Sequence, residues 1–201
     1  MTATGRKRIE ALVKERGFID AKSIARAGIH TQHLSRLVAY GSLERVARGR
    51  YRLADAAVTE NHGLALVAVV APHGVVCLLS AMRFHGIGTQ LPAEVWFAIE
   101  RGRTAPRIPN LRVRVVRYSG PAFSEGIELH RIERQPVRVY SVAKTIADLF
   151  KARNRVGVEV AVEALREAWR DRRFAMPDLD RAARACRVDR VMRPYVEGVV
   201  A

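Results

Sequence analysis

Three short helical patterns close on an arginine-tipped hairpin within residues 1–53. The arrangement that buries all four elements around one small core is a winged helix-turn-helix. Residues 6–16 place Ile9, Leu12 and Val13 on one face and Arg6, Lys7, Glu10 and Lys14 elsewhere, the spacing of an amphipathic helix that Gly17 ends. Asp20 is placed to cap a second helix, "DAKSIARAG", whose Ile24 and Ala25 face the first, and Gly28 supplies the turn that follows. In the third, "IHTQHLSRLVAYG", Leu34, Leu37 and Val38 point inward and His30 or Thr31 caps the start. The hairpin "LERVARGRYRL" alternates Leu43, Val46, Tyr51 and Leu53 toward the core with Arg45, Arg48, Arg50 and Arg52 toward solvent, Gly49 standing at its tip.

Nucleic acid is the partner such a module implies. The third helix presents Thr31, Gln32, His33, Ser35 and Arg36, side chains that reach base edges: glutamine matches adenine, arginine matches guanine, and the hydroxyls serve bases or phosphates. Arg45, Arg48, Arg50 and Arg52 suit phosphates or a narrow minor groove, and Lys22 and Arg26 suit phosphates. A polar solvated helix and hairpin would look similar, so charge is the discriminating observation. The chain carries 35 Lys+Arg against 20 Asp+Glu, a net +15, and residues 1–53 hold +8 of it, from 12 basic and 4 acidic side chains. The excess is densest where the reader is.

After a link at residues 54–59 the pattern changes, which divides the chain into a DNA-binding domain at 1–55 and a second domain at 60–201. Residues 63–82 are long and apolar enough to raise a membrane span, but Pro72-His73-Gly74 breaks the run, which reads instead as a buried helix, a turn and a second buried element. "EVWFAIE" and "LRVRVVRYS" read as strands, and "IELHRIERQPVRVYS" as two more split by Pro136. Helices follow. Ser141 caps one carrying Val142, Ile146, Leu149 and Phe150, with Lys144 where a capping box would place glutamate. Gly157 opens a longer one striped by Val158, Val162, Leu165 and Trp169, a face for the core or for a partner, and two short helices near 177–186 and 188–197 close the chain. The fold class is therefore α+β: a winged helix-turn-helix, then an α+β domain with a small, mainly antiparallel sheet and C-terminal helices. Cys77 and Cys186, far apart, suggest neither a disulfide framework nor a metal cluster, and the basic "MTATGRKRIE" lacks the apolar core of a signal peptide, so a cytoplasmic location is expected.

An enzymatic role finds little support. Metal-dependent nucleases gather acidic groups around a divalent ion, whereas the acids here are scattered beside basic residues, and Glu94 and Glu100 flank a strand without the lysine a restriction-type site would use. No Gly-Ser turn with paired aspartates and no phosphate-cradling glycine loop is present. His73 and His85 each sit beside glycine as turn or buried groups do, and Ser80, five residues before His85, is not aligned with it along a helix. No catalytic residue, cofactor or metal is expected.

Three stretches, "SRLVAYGSLERVARGRYRL", "CLLSAMRFHGIGTQLPAEVWFAI" and "VYSVAKTIADLFKARNRVGVEVAVEALREAW", in this order, resemble the AbiEi-type antitoxins of abortive-infection, type IV toxin-antitoxin systems of phage defence. That resemblance implies a transcriptional repressor of its own operon that binds inverted repeats in double-stranded DNA, with two copies able to assemble there. It implies also a C-terminal domain that counteracts a nucleotidyltransferase-like toxin without requiring a stable complex. A plain winged-helix regulator with no toxin partner shares every N-terminal expectation, and a nucleic-acid-processing enzyme is the third reading.

Overall fold

The computed structural model describes residues 3–200; Met1, Thr2 and Ala201, at the outer limits of the two expected domains, lie outside the described residues. The chain forms two compact units. The first comprises Met1–Pro72, Pro106–Leu111 and Arg131–Val137, and the second His73–Ala105, Arg112–His130 and Arg138–Ala201.

The first unit opens with α1 (Ala3–Arg16), β1 (Phe18–Asp20), α2 (Ala21–Arg26), α3 (Gln32–Ala39), β2 (Leu43–Ala47) and β3 (Arg50–Leu53), followed by α4 (His62–Val70). Ile9, Val13, Ile19, Ile24, Ile29, Leu34, Leu37 and Leu43 make its core, with Leu12, Val38, Tyr51 and Leu53 at the margin. Helix α1 begins earlier than its apolar pattern, and Ala25, expected inward, is exposed because Ile24 alone takes the inward side of the short α2. Gly17, at φ 77°, ends α1 by donating its amide to Val13 O at 2.7 Å. A Cβ there would lie 2.5 Å from the Glu133 carbonyl, so the position accepts only glycine.

Strand β1 is absent from the sequence reading because three residues are too few to show an alternation. It exists by pairing antiparallel with β3, Phe18 opposite Arg52 and Asp20 opposite Arg50, which makes β3 the central strand in the order β1-β3-β2. That placement corrects the expectation for Arg52. Alternation does turn it away from the core, but the outer face of a central strand is covered by the chain that follows the hairpin, and Arg52 is only 4% exposed. Its guanidinium donates to Ala56 O at 2.9 Å, meets His62 Nε2 at 3.1 Å and pairs with Glu44 at 3.4 Å.

The second part of the chain continues with β4 (Val75–Val76), α5 (Leu78–His85), β5 (Val95–Glu100), β6 (Val113–Tyr118), α6 (Pro121–Ser124), β7 (Ile127–Ile132), β8 (Gln135–Tyr140), α7 (Val142–Lys151), α8 (Arg153–Val156), α9 (Val158–Arg170), α10 (Met176–Cys186) and α11 (Asp189–Val200). The sheet runs β6-β5-β4-β8-β7. The β4·β5 pair is antiparallel, as the two-residue connection between β7 and β8 makes theirs, whereas β5·β6 and β4·β8 are parallel. With the wholly antiparallel sheet of the first unit, this is an α+β protein.

Pro136 does not split the last two strands; it lies inside β8, and the turn is Glu133-Arg134. A proline is tolerated there because β4 registers with β8 only at Val139, beyond the position where a missing amide would matter. Among the described residues no helix is long and apolar enough to cross a membrane, the run at 63–82 being divided among α4, β4 and α5.

Helix α7 is the hub of the second unit, buried from Val142 through Phe150 and packed by α5, α9, α10 and α11. Ser141 caps it as expected, its Oγ accepting the Lys144 amide at 3.2 Å. On α9 the buried stripe is Val160, Ala161, Ala164, Leu165 and Ala168. Of the expected stripe only Leu165 is fully buried; Val162 packs partly against the core and Val158 is 36% exposed.

Lys144 is wholly buried, with Nζ 2.7 Å from both Asp148 carboxylate oxygens and 3.9 Å above the Tyr140 ring. Burial pushes the Asp148 carboxyl above its usual range, against the pull of that ammonium. The Cys186 thiol donates to Asp148 at 3.2 Å and is pushed up to about 12 by burial and by that carboxylate.

Candidate nucleic-acid interface

Leu34 and Leu37 anchor α3 in the core, which leaves Gln32, Ser35, Arg36 and Ala39 as an exposed stripe at i, i+3, i+4 and i+7, with Thr31 exposed at its start. Thr31 stands at the N-cap position without a side-chain bond; the capping contact comes from His30, whose Nδ1 accepts the Gln32 amide at 3.2 Å. Thr31 is thus free to reach outward. His33 is only half exposed, with Nδ1 buried and unbonded, so its outward atom is Nε2. Tyr40, passed over in the sequence, is 72% exposed one turn beyond Arg36 and extends the same stripe. The signal was available in the spacing, since 40 follows 36 by four.

The wing is latched to α2. The Ala21 amide donates to Gly49 O at 3.2 Å, and Arg50 pairs with Asp20 at 2.8 Å. Lys22 and Arg48 each stand one residue from the amide bond, so the latch brings two exposed cations to the junction of α2 and the wing tip. The turn Arg48-Gly49 uses a positive φ of 69° at the glycine, and a register shift between Arg45 and Ala47 leaves Val46 as a bulge turned into the core.

The four wing arginines therefore differ. Arg48 is exposed; Arg45 is exposed with Nε 3.4 Å from Ala47 O; Arg50 is held by Asp20; Arg52 is buried. Lys22, Arg26, Arg36 and Arg48 are exposed and have no ion-pair partner among the described residues, which leaves their charge available to an anion.

Asp20 links helix and wing. Its carboxylate accepts the Ser23 amide at 2.7 Å, capping α2. Burial would raise this carboxyl, but the Ser23 amide and hydroxyl and the Arg50 guanidinium overcome it and hold it below the ordinary range. Asp20→Ala is expected to destabilise the protein by about 0.5–2 kcal/mol near neutral pH, the usual loss for an N-cap. A carboxyl with a depressed folded pKa contributes stability that is full above its unfolded value of 3.8 and lost as pH falls through the folded one. Thermal melts of the two proteins should therefore converge below about pH 3.8; a gap unchanged by acid would mean that the cap acts without its charge.

Behind the wing, Glu133 receives the Thr59 amide at 3.0 Å, the Thr59 hydroxyl at 2.9 Å and His62 Nδ1 at 2.7 Å. Because Arg52 can only donate, His62 Nε2 accepts from it and Nδ1 carries the proton toward Glu133. This chain of groups holds β3 from its outer side. Ser80 Oγ accepts the Trp96 amide at 2.9 Å, His85 Nε2 donates to Tyr140 O at 2.7 Å, and His73 Nε2 is buried with no hydrogen bond among the described residues.

Residues 7–54 match the family described as transcriptional regulator, AbiEi antitoxin. Residues 7–54 are thus similar to the regulator module of the AbiEi antitoxins. The match supports a DNA-binding antitoxin role, and it covers the AbiEi-type helices and wing described above. Over the whole length the fold is similar to that of the crystal structure of the RV2827C protein from Mycobacterium tuberculosis, with a TM-score of 0.60, 12% identity, and coverage of 98% of this chain and 82% of that one. No curated protein matches the chain.

Proposed function

We propose that this protein is a non-enzymatic, cytoplasmic repressor of its own operon, with residues 1–55 reading inverted repeats in double-stranded DNA and residues 60–201 carrying antitoxin activity. The observation that supports it best is the exposed stripe of α3 in a module of the AbiEi antitoxin regulators. In this reading Gln32, Arg36 and Tyr40 approach base edges with Thr31, Ser35 and His33 beside them, while Lys22, Arg26, Arg45 and Arg48 hold phosphates. Arg50 and Arg52 act through the wing, the first by its latch to Asp20 and the second by fixing β3. The second domain counteracts a nucleotidyltransferase-like toxin functionally, with no stable complex required.

A gel-shift titration against the DNA upstream of the gene and a scrambled duplex of equal length, at two salt concentrations, tests this. Preference for the upstream DNA that persists at the higher salt is expected. Equal, salt-sensitive binding to both would reduce the module to a non-specific anchor. A plain regulator without a toxin gives the same shift, and rescue of growth during expression of a neighbouring nucleotidyltransferase-like gene separates the two.

A further inference from the structure

Arginine is concentrated on one end strand of the five-stranded sheet. Strand β6, first in the order β6-β5-β4-β8-β7, reads Val-Arg-Val-Val-Arg-Tyr, and Arg112 stands just before it. Arg112, Arg114 and Arg117 are exposed, in the spacing Arg-x-Arg-x-x-Arg, with Val113, Val115 and Val116 half-buried between them. The turn after β5 adds two more. The Arg101 amide donates to Tyr118 O at 2.9 Å and the Arg103 amide to Glu100 O at 3.1 Å, so Arg101 and Arg103, both exposed, lie beside the C-terminal end of β6. Two acids stand alongside: Glu94, paired with Arg114 at 2.5 Å, and Glu100, opposite Tyr118. Arg114 is also seated 4.8 Å from the Trp96 ring centroid, whereas Arg101, Arg103, Arg112 and Arg117 have no ion-pair partner among the described residues.

The backbone of this edge says what kind of molecule fits it. Arg112 O accepts the Val95 amide at 2.9 Å at one end, and Tyr118 O accepts the Arg101 amide at the other. In a parallel pair every second residue of a strand bonds its neighbour, so Arg112, Arg114, Val116 and Tyr118 face β5, and Val113, Val115 and Arg117 turn N–H and C=O to the open side. Such an alternation of donors and acceptors is complementary to another extended polypeptide. Phosphate oxygens only accept, so a nucleic-acid backbone would leave the outward carbonyls unmet and bring its charge against them. A second copy of β6 is refused by its own arginines, since like charges set opposite one another keep natural sheet edges apart.

We infer that β6 is the docking edge for an acidic extended segment of another protein, which adds to the sheet as a strand antiparallel to β6. Residues directly opposite share a face, so the segment that fits reads Glu-x-x-Glu-x-Glu from its N-terminal end: the first carboxylate meets Arg117, the second Arg114 and the third Arg112. Apolar or β-branched residues at x lie beside Val113, Val115 and Val116. Backbone bonds at Val113, Val115 and Arg117 hold such a strand whatever its sequence, and the arginines choose among strands. The charges that reject a second copy therefore select the partner, so one feature serves attraction and exclusion together. Every residue of this edge, from Arg112 to Tyr118 with Arg101 and Arg103, belongs to the second unit.

Fluorescence anisotropy of the fluorescein-labelled peptide Ser-Glu-Val-Thr-Glu-Val-Glu-Ser, titrated with the full chain to about 100 μM at an ionic strength of about 0.15 M, is the test. Saturable binding is expected. Arg112→Glu/Arg117→Glu should weaken it by at least about tenfold. Arg184→Glu/Arg190→Glu, the same change of charge at exposed arginines of α10 and α11, should leave it intact. The same peptide with proline in place of threonine keeps every charge but loses the amide opposite Val115, and should also bind at least about tenfold more weakly. A chain that does not bind the peptide in this range, or an affinity unmoved by Arg112→Glu/Arg117→Glu, overturns the assignment. Equal affinity for the proline peptide overturns it too, because the edge would then be a bare cationic surface open to any polyanion, nucleic acid included. None of these outcomes depends on what the gel shift shows of DNA binding.

Discussion

Lys144→Met is expected to destabilise the protein by about 3–5 kcal/mol, the loss typical of a buried ion pair deprived of one partner. The magnitude follows from what remains. Lys144 and Asp148 are both wholly inaccessible, one turn apart on the most buried helix, and the ammonium bonds both carboxylate oxygens. Methionine fills much of the lysine volume, so packing changes little, but among the described residues Asp148 then keeps only the Cys186 thiol as a side-chain hydrogen-bond donor. It must either stay charged in an apolar core or take up a proton. Its pKa, already raised by burial, rises further without the lysine. The sign for pH follows. A folded-state pKa raised above the unfolded value makes folding tighter in acid and weaker as pH rises through the folded value, so the variant should recover relative to wild type as pH falls. Urea denaturation at two pH values measures both effects. Lys144→Met/Asp148→Leu should regain most of the stability, since a hydrophobic pair of similar volume escapes the desolvation. A loss under about 1 kcal/mol in the single variant would show that the pair contributes no more than an exposed one.

The second large effect concerns recognition. Arg36→Ala should reduce affinity for the upstream DNA by about 1–3 kcal/mol, roughly 5- to 150-fold, and relax preference at one base pair. Arg36 lies at the centre of the exposed α3 stripe and has no ion-pair partner among the described residues, so its guanidinium is available for a bidentate contact with guanine. Arg48→Ala is the contrast. It should weaken binding to all sequences alike and lower the salt slope by about one unit. Titrations against a panel of single-base variants at two salt concentrations separate the cases. If Arg36→Ala lowered affinity uniformly across the panel, its contact would be with a phosphate, and base reading would pass to Gln32 and Tyr40.

Much of the winged module is legible in the sequence because its signals are local. A helix needs an apolar residue every three to four positions, and Ile9, Val13, Leu34 and Leu37 supply them; Asp20 and Ser141 cap helices because their carboxylate and hydroxyl reach amides three residues ahead. The stripe with Gln32, Ser35 and Arg36 follows from the same period. Where the signal depended on a distant partner, local reading failed. Alternation along β3 correctly turned Arg52 away from the core, yet could not register that residues 54–62 return to cover it. Spacing along α9 marks Val158, Val162, Leu165 and Trp169 as one face, whereas packing against α7 buries Val160, Ala161, Ala164, Leu165 and Ala168, the small side chains that periodicity alone does not single out.

The amino-acid sequence by itself determined the winged module, its excess of positive charge, most of the longer helices and strands, and the outward stripe of α3. Each depends on periods and caps spanning a few residues. Only the tertiary structure decided which of the four wing arginines are exposed, that Asp20 latches α2 to the wing, that Lys144 meets Asp148 without solvent, and which strands lie at the edges of the sheet. Those outcomes rest on burial and pairing between residues far apart in the chain, where the energy of a charge or an amide is set by what covers it rather than by its neighbours in sequence.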